Sequence, residues 1–233
     1  MADFTLYYWP IPFRGQFVRA TLAHVGASWD EAGFDETFAQ RASDPAAQKL
    51  PHMGPPVLVD HQRDCTLSQM PAILSYLGEV YRLTGCCPDT HAICLKVICD
   101  ANDVLYEMTR YNGAQFWSDE AWAEFLPRLA RWMGIFEEVG ARHGLSAGEG
   151  HVLGTDAPGL ADLVVATLWG TMTARFAPLR GMLDAEAPGI AGLTDRIRAL
   201  PEQAALIRQS DAAYGEVWCG GQIEESLRRV LRS

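Results

Sequence analysis

The sequence predicts two units in series, a small α/β layer domain followed by an all-α helical bundle. Three observations carry this. Over residues 1–84, strand-like and helix-like apolar periods alternate in the order β-α-β-(α)-β-β-α. Beyond Gly85–Thr90, GCCPDT, every apolar pattern has a helical period. The chain has 233 residues and is 48% apolar, enough for one or two cores. The expected division is a first domain over 1–84, a linker over 85–91 and a helical domain over 92–233.

Phe4, Leu6 and Tyr8 alternate with Thr5, Tyr7 and Trp9, the period of a strand. Pro10 and Pro12 end it in a loop. Phe17, Val18, Thr21, Leu22 and Val25 follow a helical period as far as Gly26, a C-terminal stop. Ala27 to Phe34 reads as a second strand anchored by Trp29, parallel to the first through a right-handed crossover. Asp35 to His52 is polar and Ala-containing, an irregular or short helical connection. Gly54-Pro55-Pro56 is a turn signal, and a Pro opening a strand after a tight turn is a place for a cis peptide. Val57–Val59 form the next strand, Asp60–Asp64 a hairpin loop and Cys65–Leu67 the return. Met70, Ile73, Leu74, Leu77, Val80 and Tyr81 then make one apolar stripe, with Pro71 in the first turn, where its missing N–H costs nothing. The start of this helix, at Gln69-Met70, offers free N–H groups and a positive dipole end to an anion.

In the second unit, one stripe runs from Cys94 to Met108 and ends near Asn112-Gly113. Another runs from Trp122 to Val139, with Pro127 inside it predicting a kink or a break. Leu145–Pro158 holds three glycines and reads as a loop. Leu160 to Thr171 is almost wholly apolar, the expected core helix. Gly159 with Asp162 three residues on suggests half of a capping box, a folding feature rather than a catalytic one. Two short helices near Leu193–Leu200 and Pro201–Ala213 follow. The tail Gln222–Arg232 reads as a docked amphipathic helix, since it is short and carries Glu224 and Glu225.

Composition excludes several functions. The net charge is −10, from 19 basic and 29 acidic residues, which disfavours nucleic acid and anionic membrane surfaces. No apolar run is long enough to span a bilayer. The start, MADFTLYYWP, lacks a charged segment followed by an apolar one, so no secretory signal is expected and the expected compartment is the cytosol. The six cysteines form no CxxC pair. Cys87, His91 and Cys94 lack a second ligand pair, so no metal is expected and reduced thiols are. The adjacent Cys86-Cys87 leave a vicinal disulfide open.

The element order, with a Pro before the third strand, resembles the thioredoxin fold. Four segments are similar to those of the glutathione transferases: LYYWP at Leu6–Pro10, GPPVLVD at Gly54–Asp60, LSQMPAILSYL at Leu67–Leu77 and PGLADL at Pro158–Leu163. Together they cover the whole chain and are specific, though singly none is. The resemblance implies a homodimer that binds glutathione and a small hydrophobic electrophile, works in detoxification and needs no metal. It places Tyr8, spaced from Arg19 as in the tyrosine-type classes, as donor to the glutathione thiolate. Pro12 falls near the place of the Ser or Cys used by other classes. For glutathione itself the resemblance implies Gln69 and Met70 at the γ-glutamyl carboxylate, Arg14 near the same group, Pro55 and Pro56 at the cysteinyl backbone, Lys49 at the glycyl carboxylate, and Asp100 or Asp103 across a dimer cleft. Trp9, Ile11, Tyr106 and Tyr111, with Phe116 and Trp117, are its candidates for the electrophile slot.

Two departures stand in one subsite. Pro55 has no N–H to give the cysteinyl backbone, and Met70 replaces the usual Ser. A Ser restored in place of Met70 is expected to tighten glutathione. The departures keep open a non-catalytic, transferase-like module that binds a protein partner. Glutathione-dependent peroxide reduction or isomerisation is the enzymatic alternative.

Overall fold

A computed structural model describes residues 2–85 and 87–232. Cys86, and with it the vicinal disulfide, lies outside the described residues. The first unit is a four-stranded sheet in the order β2-β1-β3-β4. Strand β1 (Phe4–Tyr7) pairs in parallel with β2 (Trp29–Glu31), Phe4 opposite Trp29, and antiparallel with β3 (Val57–Asp60), Tyr7 opposite Val57. Strand β4 (Cys65–Ser68) closes a hairpin onto β3. The observed β2 is far shorter than the expected Ala27–Phe34, because from Phe34 the chain turns into helix α2 (Phe34–Ala42). Only Thr37 of α2 is buried, so no apolar stripe announced it.

Helix α1 (Arg14–His24) is buried over all of Gly15–Leu22. It packs against α3 (Met70–Val80) on the sheet and against α7 (Leu160–Arg175) and α10 (Pro201–Tyr214) of the second unit, so it joins the two. In α3, Met70, Ile73, Leu74 and Leu77 are fully buried, as the stripe predicts. Each contributes about 1.5–3 kcal/mol on burial.

The second unit is helical throughout its described elements. Helix α4 (Pro88–Met108) begins inside the expected linker. A single turn, α5 (Arg110–Gly113), then reverses the chain with left-handed backbone, φ being 47° at Arg110, 64° at Tyr111 and 56° at Asn112. Helix α6 (Asp119–Ala141) runs unbroken through Pro127. The buried α7 is the core helix that its composition predicts, and the Gly159 N–H donates to Asp162 at 2.8 Å as the half capping box requires. Between α7 and the next expected helix stands an unforeseen one, α8 (Ala177–Glu186), which buries only Leu179 and Leu183. Helix α9 (Pro188–Arg198) precedes α10, and α11 (Gly221–Leu231) docks through Leu227 and Leu231. Among the described residues no helix is long and apolar enough to cross a membrane.

Candidate functional site

A cleft of about 600 Å³ lies between the two units. From the first unit Tyr8, Trp9, Ile11, Phe13 and Arg14 line one side, and Gly54, Pro55, Pro56 and Gln69 the floor. Asn102, Tyr106, Thr109 and Asn112 from α4 and α5, with Cys219 and Ile223 near α11, form the opposite side.

Tyr8 follows the last residue of β1 and is 4% exposed. The chain cannot continue as a strand past Pro10, so the Tyr8 side chain drops against the start of α1. Its ring lies on Gly15, where a Cβ would come within 2.3 Å of Cδ1. Gly15 is therefore the residue that lets the ring seat. Burial pushes the Tyr8 hydroxyl up to about 12, opposed by the Arg14 charge and by the Arg14 and Gly15 N–H groups at the start of α1. At neutral pH this hydroxyl is protonated, a hydrogen-bond donor and not a base. The neighbouring Tyr7 hydroxyl instead donates to Glu36 on α2, at 3.3 Å.

Arg19 holds the loop after Tyr8. Its guanidinium pairs with both oxygens of Glu31 on β2, at 2.7 and 3.0 Å, and donates to the Ile11 carbonyl at 2.9 Å and the Trp9 carbonyl at 3.4 Å. The side chain is 3% exposed and its charge centre lies 5.7 Å from the Tyr8 ring. Arg14 crosses the cleft and donates from Nε to Asn102 Oδ1 at 3.1 Å. Burial lowers its pKa, while the Tyr8 and Cys219 side chains oppose that. The Cys219 thiol is pushed up by burial and then by Glu224, and so stays protonated.

The Pro55–Pro56 bond is cis. Beside it Gln69 has a φ of 72°, a backbone that costs roughly 1–3 kcal/mol in a residue other than Gly and turns the chain from β4 into α3. No side chain caps α3. Its first free N–H groups are those of Met70 and Ala72, because Pro71 has none, and a carboxylate suits them.

Of the site residues expected from sequence, Tyr8, Trp9, Ile11, Arg14, Pro55, Pro56, Gln69 and Tyr106 meet at the cleft. Three do not. Met70 has its side chain wholly in the core, because it begins the α3 stripe, so only its N–H is left for a ligand. Lys49 pairs with Asp64 at 2.5 Å, away from the cleft. Tyr111, turned by the left-handed α5, packs on Tyr106 from outside at 5.3 Å between ring centroids. Trp117 is a core residue packed on Trp122, and Phe116 is exposed. Asp103 is exposed on α4 and does not line its own chain's cleft. Partial desolvation by its neighbours, with the Asp100 and Glu107 charges, raises its carboxyl.

Sequence reasoning missed Arg41, Asn102 and Asn112. Arg41 is the cation at the cleft floor, its Nε 3.8 Å from the Cβ position of Gly54. The arrangement supplies cations and N–H donors together with a buried phenol and aromatic side chains in one cleft. It suits a small peptide carrying carboxylates together with an apolar co-substrate. Among the described residues no three His, Cys, Asp or Glu side chains are placed to hold a metal.

Comparisons with known proteins agree with this architecture. The family model described as "Glutathione S-transferase, C-terminal domain" matches residues 93–230. Among solved structures, a Pi-class glutathione S-transferase of Onchocerca volvulus superposes with a TM-score of 0.73 at 18% identity, covering 94% of this chain and 98% of that one. The structure titled "Structure of NaGST-2" superposes with a TM-score of 0.71 at 20% identity, covering 89% and 97%. A search of curated proteins finds no match. At these identities the structural neighbours establish the fold, while the family model spans over half of the residues. The chain belongs to the glutathione S-transferase family.

Proposed function

We propose that this chain is a glutathione transferase that activates the glutathione thiol at Tyr8 for attack on a small hydrophobic electrophile. The observation that carries the reading is the buried Tyr8 side chain, which lines one cleft together with Arg14, Pro55, Pro56 and Gln69. In this reading Tyr8 donates to the thiolate sulfur and so lowers the thiol pKa. The α3 N-terminus at Gln69 and Met70 takes the γ-glutamyl carboxylate with Arg14 nearby. Arg41, rather than Lys49, takes the glycyl carboxylate. Trp9, Ile11 and Tyr106 line the electrophile slot. Pro55 offers the cysteinyl backbone its carbonyl alone, so one hydrogen bond, worth about 0.5–1.5 kcal/mol, is given up.

The reading assigns 1–84 to glutathione binding and 92–233 to the helical domain. It includes a cytosolic homodimer serving detoxification, with Asp100 and Asp103 near the interface. Sedimentation at micromolar concentration checks the dimer, and a monomer contradicts it. The missing N–H of Pro55 and the buried Met70 favour one other reading, a non-catalytic module that binds a protein partner. Calorimetric titration with glutathione separates the two. Saturable binding together with turnover of a generic electrophile supports the transferase, and no heat at millimolar glutathione sinks it.

A further inference from the structure

Exposed large apolar side chains are ordinary when scattered but informative when contiguous. Eight such side chains occur among the described residues, and five of them surround the mouth of the cleft. Met53 and Tyr106, 86% and 42% exposed, line the cleft itself. Phe34, 56% exposed, packs on the cleft residue Trp9 with ring centroids 5.5 Å apart. Phe38, 51% exposed, continues the row, stacked on Phe34 at 6.4 Å and an interplanar angle of 19°. Across the mouth Tyr111, 43% exposed, extends Tyr106 outward. Two aromatic walls therefore leave the cleft, Trp9–Phe34–Phe38 along α2 and Tyr106–Tyr111 at the α4–α5 corner.

Folding does not require the outer members of these walls. Phe34 and Phe38 bury little, and the left-handed backbone at Tyr111 opposes its own side chain. The cleft must also hold the tripeptide, so a large electrophile cannot fit wholly inside it. Asp35 and Glu36 beside Phe34, and the net charge of −10, disfavour an anionic occupant. Flat ring faces select planar aromatic partners by offset and edge-on stacking. Resting on the transferase reading above, the geometry points to a co-substrate with two parts: a compact electrophilic head that enters the cleft, and an uncharged polycyclic aromatic body held outside between the two walls.

Benzyl chloride and (chloromethyl)pyrene test this, since they share one reacting carbon. In both, the glutathione sulfur forms a C–S bond, the C–Cl bond breaks, chloride leaves with the bonding pair, and the thiol proton passes to water. Each kcat/KM is divided by its uncatalysed rate constant. The wild type should prefer the pyrene compound by about ten-fold or more. Phe34→Ser/Phe38→Ser should remove most of that preference and leave benzyl chloride turnover unchanged, and Tyr111→Asn should reduce it. No preference in the wild type, or an undiminished one in the double variant, overturns the inference. So does a changed sedimentation coefficient in the double variant, which would make the wall a contact between copies. If neither chloride is turned over, the transferase reading fails, and fluorescence titration with unreactive methylpyrene decides the walls alone. Saturable binding lost in the double variant sustains them, and absent binding refutes them.

Discussion

Replacing Arg19 by Met should damage both stability and turnover. Met fills the stem of the side chain but supplies no donors. The Ile11 carbonyl loses its 2.9 Å partner and the Trp9 carbonyl its 3.4 Å one. The Glu31 carboxylate loses both of its bonds to the guanidinium but keeps the Trp29 indole N–H, at 2.9 Å. Removing one partner of a fully buried pair costs about 3–5 kcal/mol. Glu31 is 38% exposed and can rehydrate, so the cost should lie at the low end, about 3 kcal/mol. The freed loop also carries Tyr8. Misplacing a positioned group by a fraction of an ångström lowers kcat, here by about ten-fold or more. Urea unfolding and steady-state turnover are the assays. Arg19→Lys keeps the charge but not the two-pronged geometry, and should fall between wild type and Met. A stability loss under about 1 kcal/mol together with an unchanged kcat would refute the positioning role.

Three further outcomes are expected. Arg41→Ala should raise the glutathione KM by about ten-fold with kcat kept, whereas Lys49→Ala should change neither; the reverse pattern in steady-state kinetics would return the glycyl carboxylate to Lys49. Met70→Ser should lower stability by about 2–5 kcal/mol in denaturant melts, because it empties a fully buried site, and glutathione titration should find no tighter binding. Because the folded Tyr8 hydroxyl is raised from 10.0 to about 12, its contribution to stability is whole below pH 10 and lost as pH rises from there toward 12. Alkaline melts of wild type and Tyr8→Phe should therefore converge over that window by on the order of 2 kcal/mol, and parallel curves would contradict the burial of the hydroxyl.

The parts of this fold with a strong local period were legible. The alternation of Phe4, Leu6 and Tyr8 marks β1, and the stripe from Met70 to Leu77 marks α3 with its buried face. That stripe also places the Met70 side chain in the core, which leaves its N–H, the contact that the resemblance kept, for a ligand. Elements lacking a stripe were less legible: α2, which buries Thr37 alone, falls where the sequence reads as an irregular or short helical connection, and α8, with two buried leucines, was not foreseen. The left-handed backbone of α5 has no signature in Arg110-Tyr111-Asn112, since only Asn and the following Gly favour it. This hid the outward turn of Tyr111. Lys49 was the nearest cation in sequence to the glycyl position, but α2 folds back over Gly54 and brings Arg41 there, a long-range contact that no local pattern encodes. Arg19 served as a spacing mark in the sequence, and its hold on Trp9 and Ile11 becomes visible only once β2 brings Glu31 beside it.

The central claim is that the Tyr8 hydroxyl sets the acidity of bound glutathione. Tyr8→Phe removes that hydroxyl and leaves the ring seated on Gly15. The direct measurement is a pH titration of the thiolate ultraviolet absorbance of glutathione bound to wild type and to the variant, with glutathione affinity measured in parallel. The account predicts a higher thiol pKa in the variant and a turnover lower by roughly ten- to a hundred-fold, which is the loss of one charge-assisted hydrogen bond, with affinity little changed. A bound thiol of unchanged pKa in Tyr8→Phe would contradict it and assign the thiolate to other donors, such as the backbone N–H groups near Ile11.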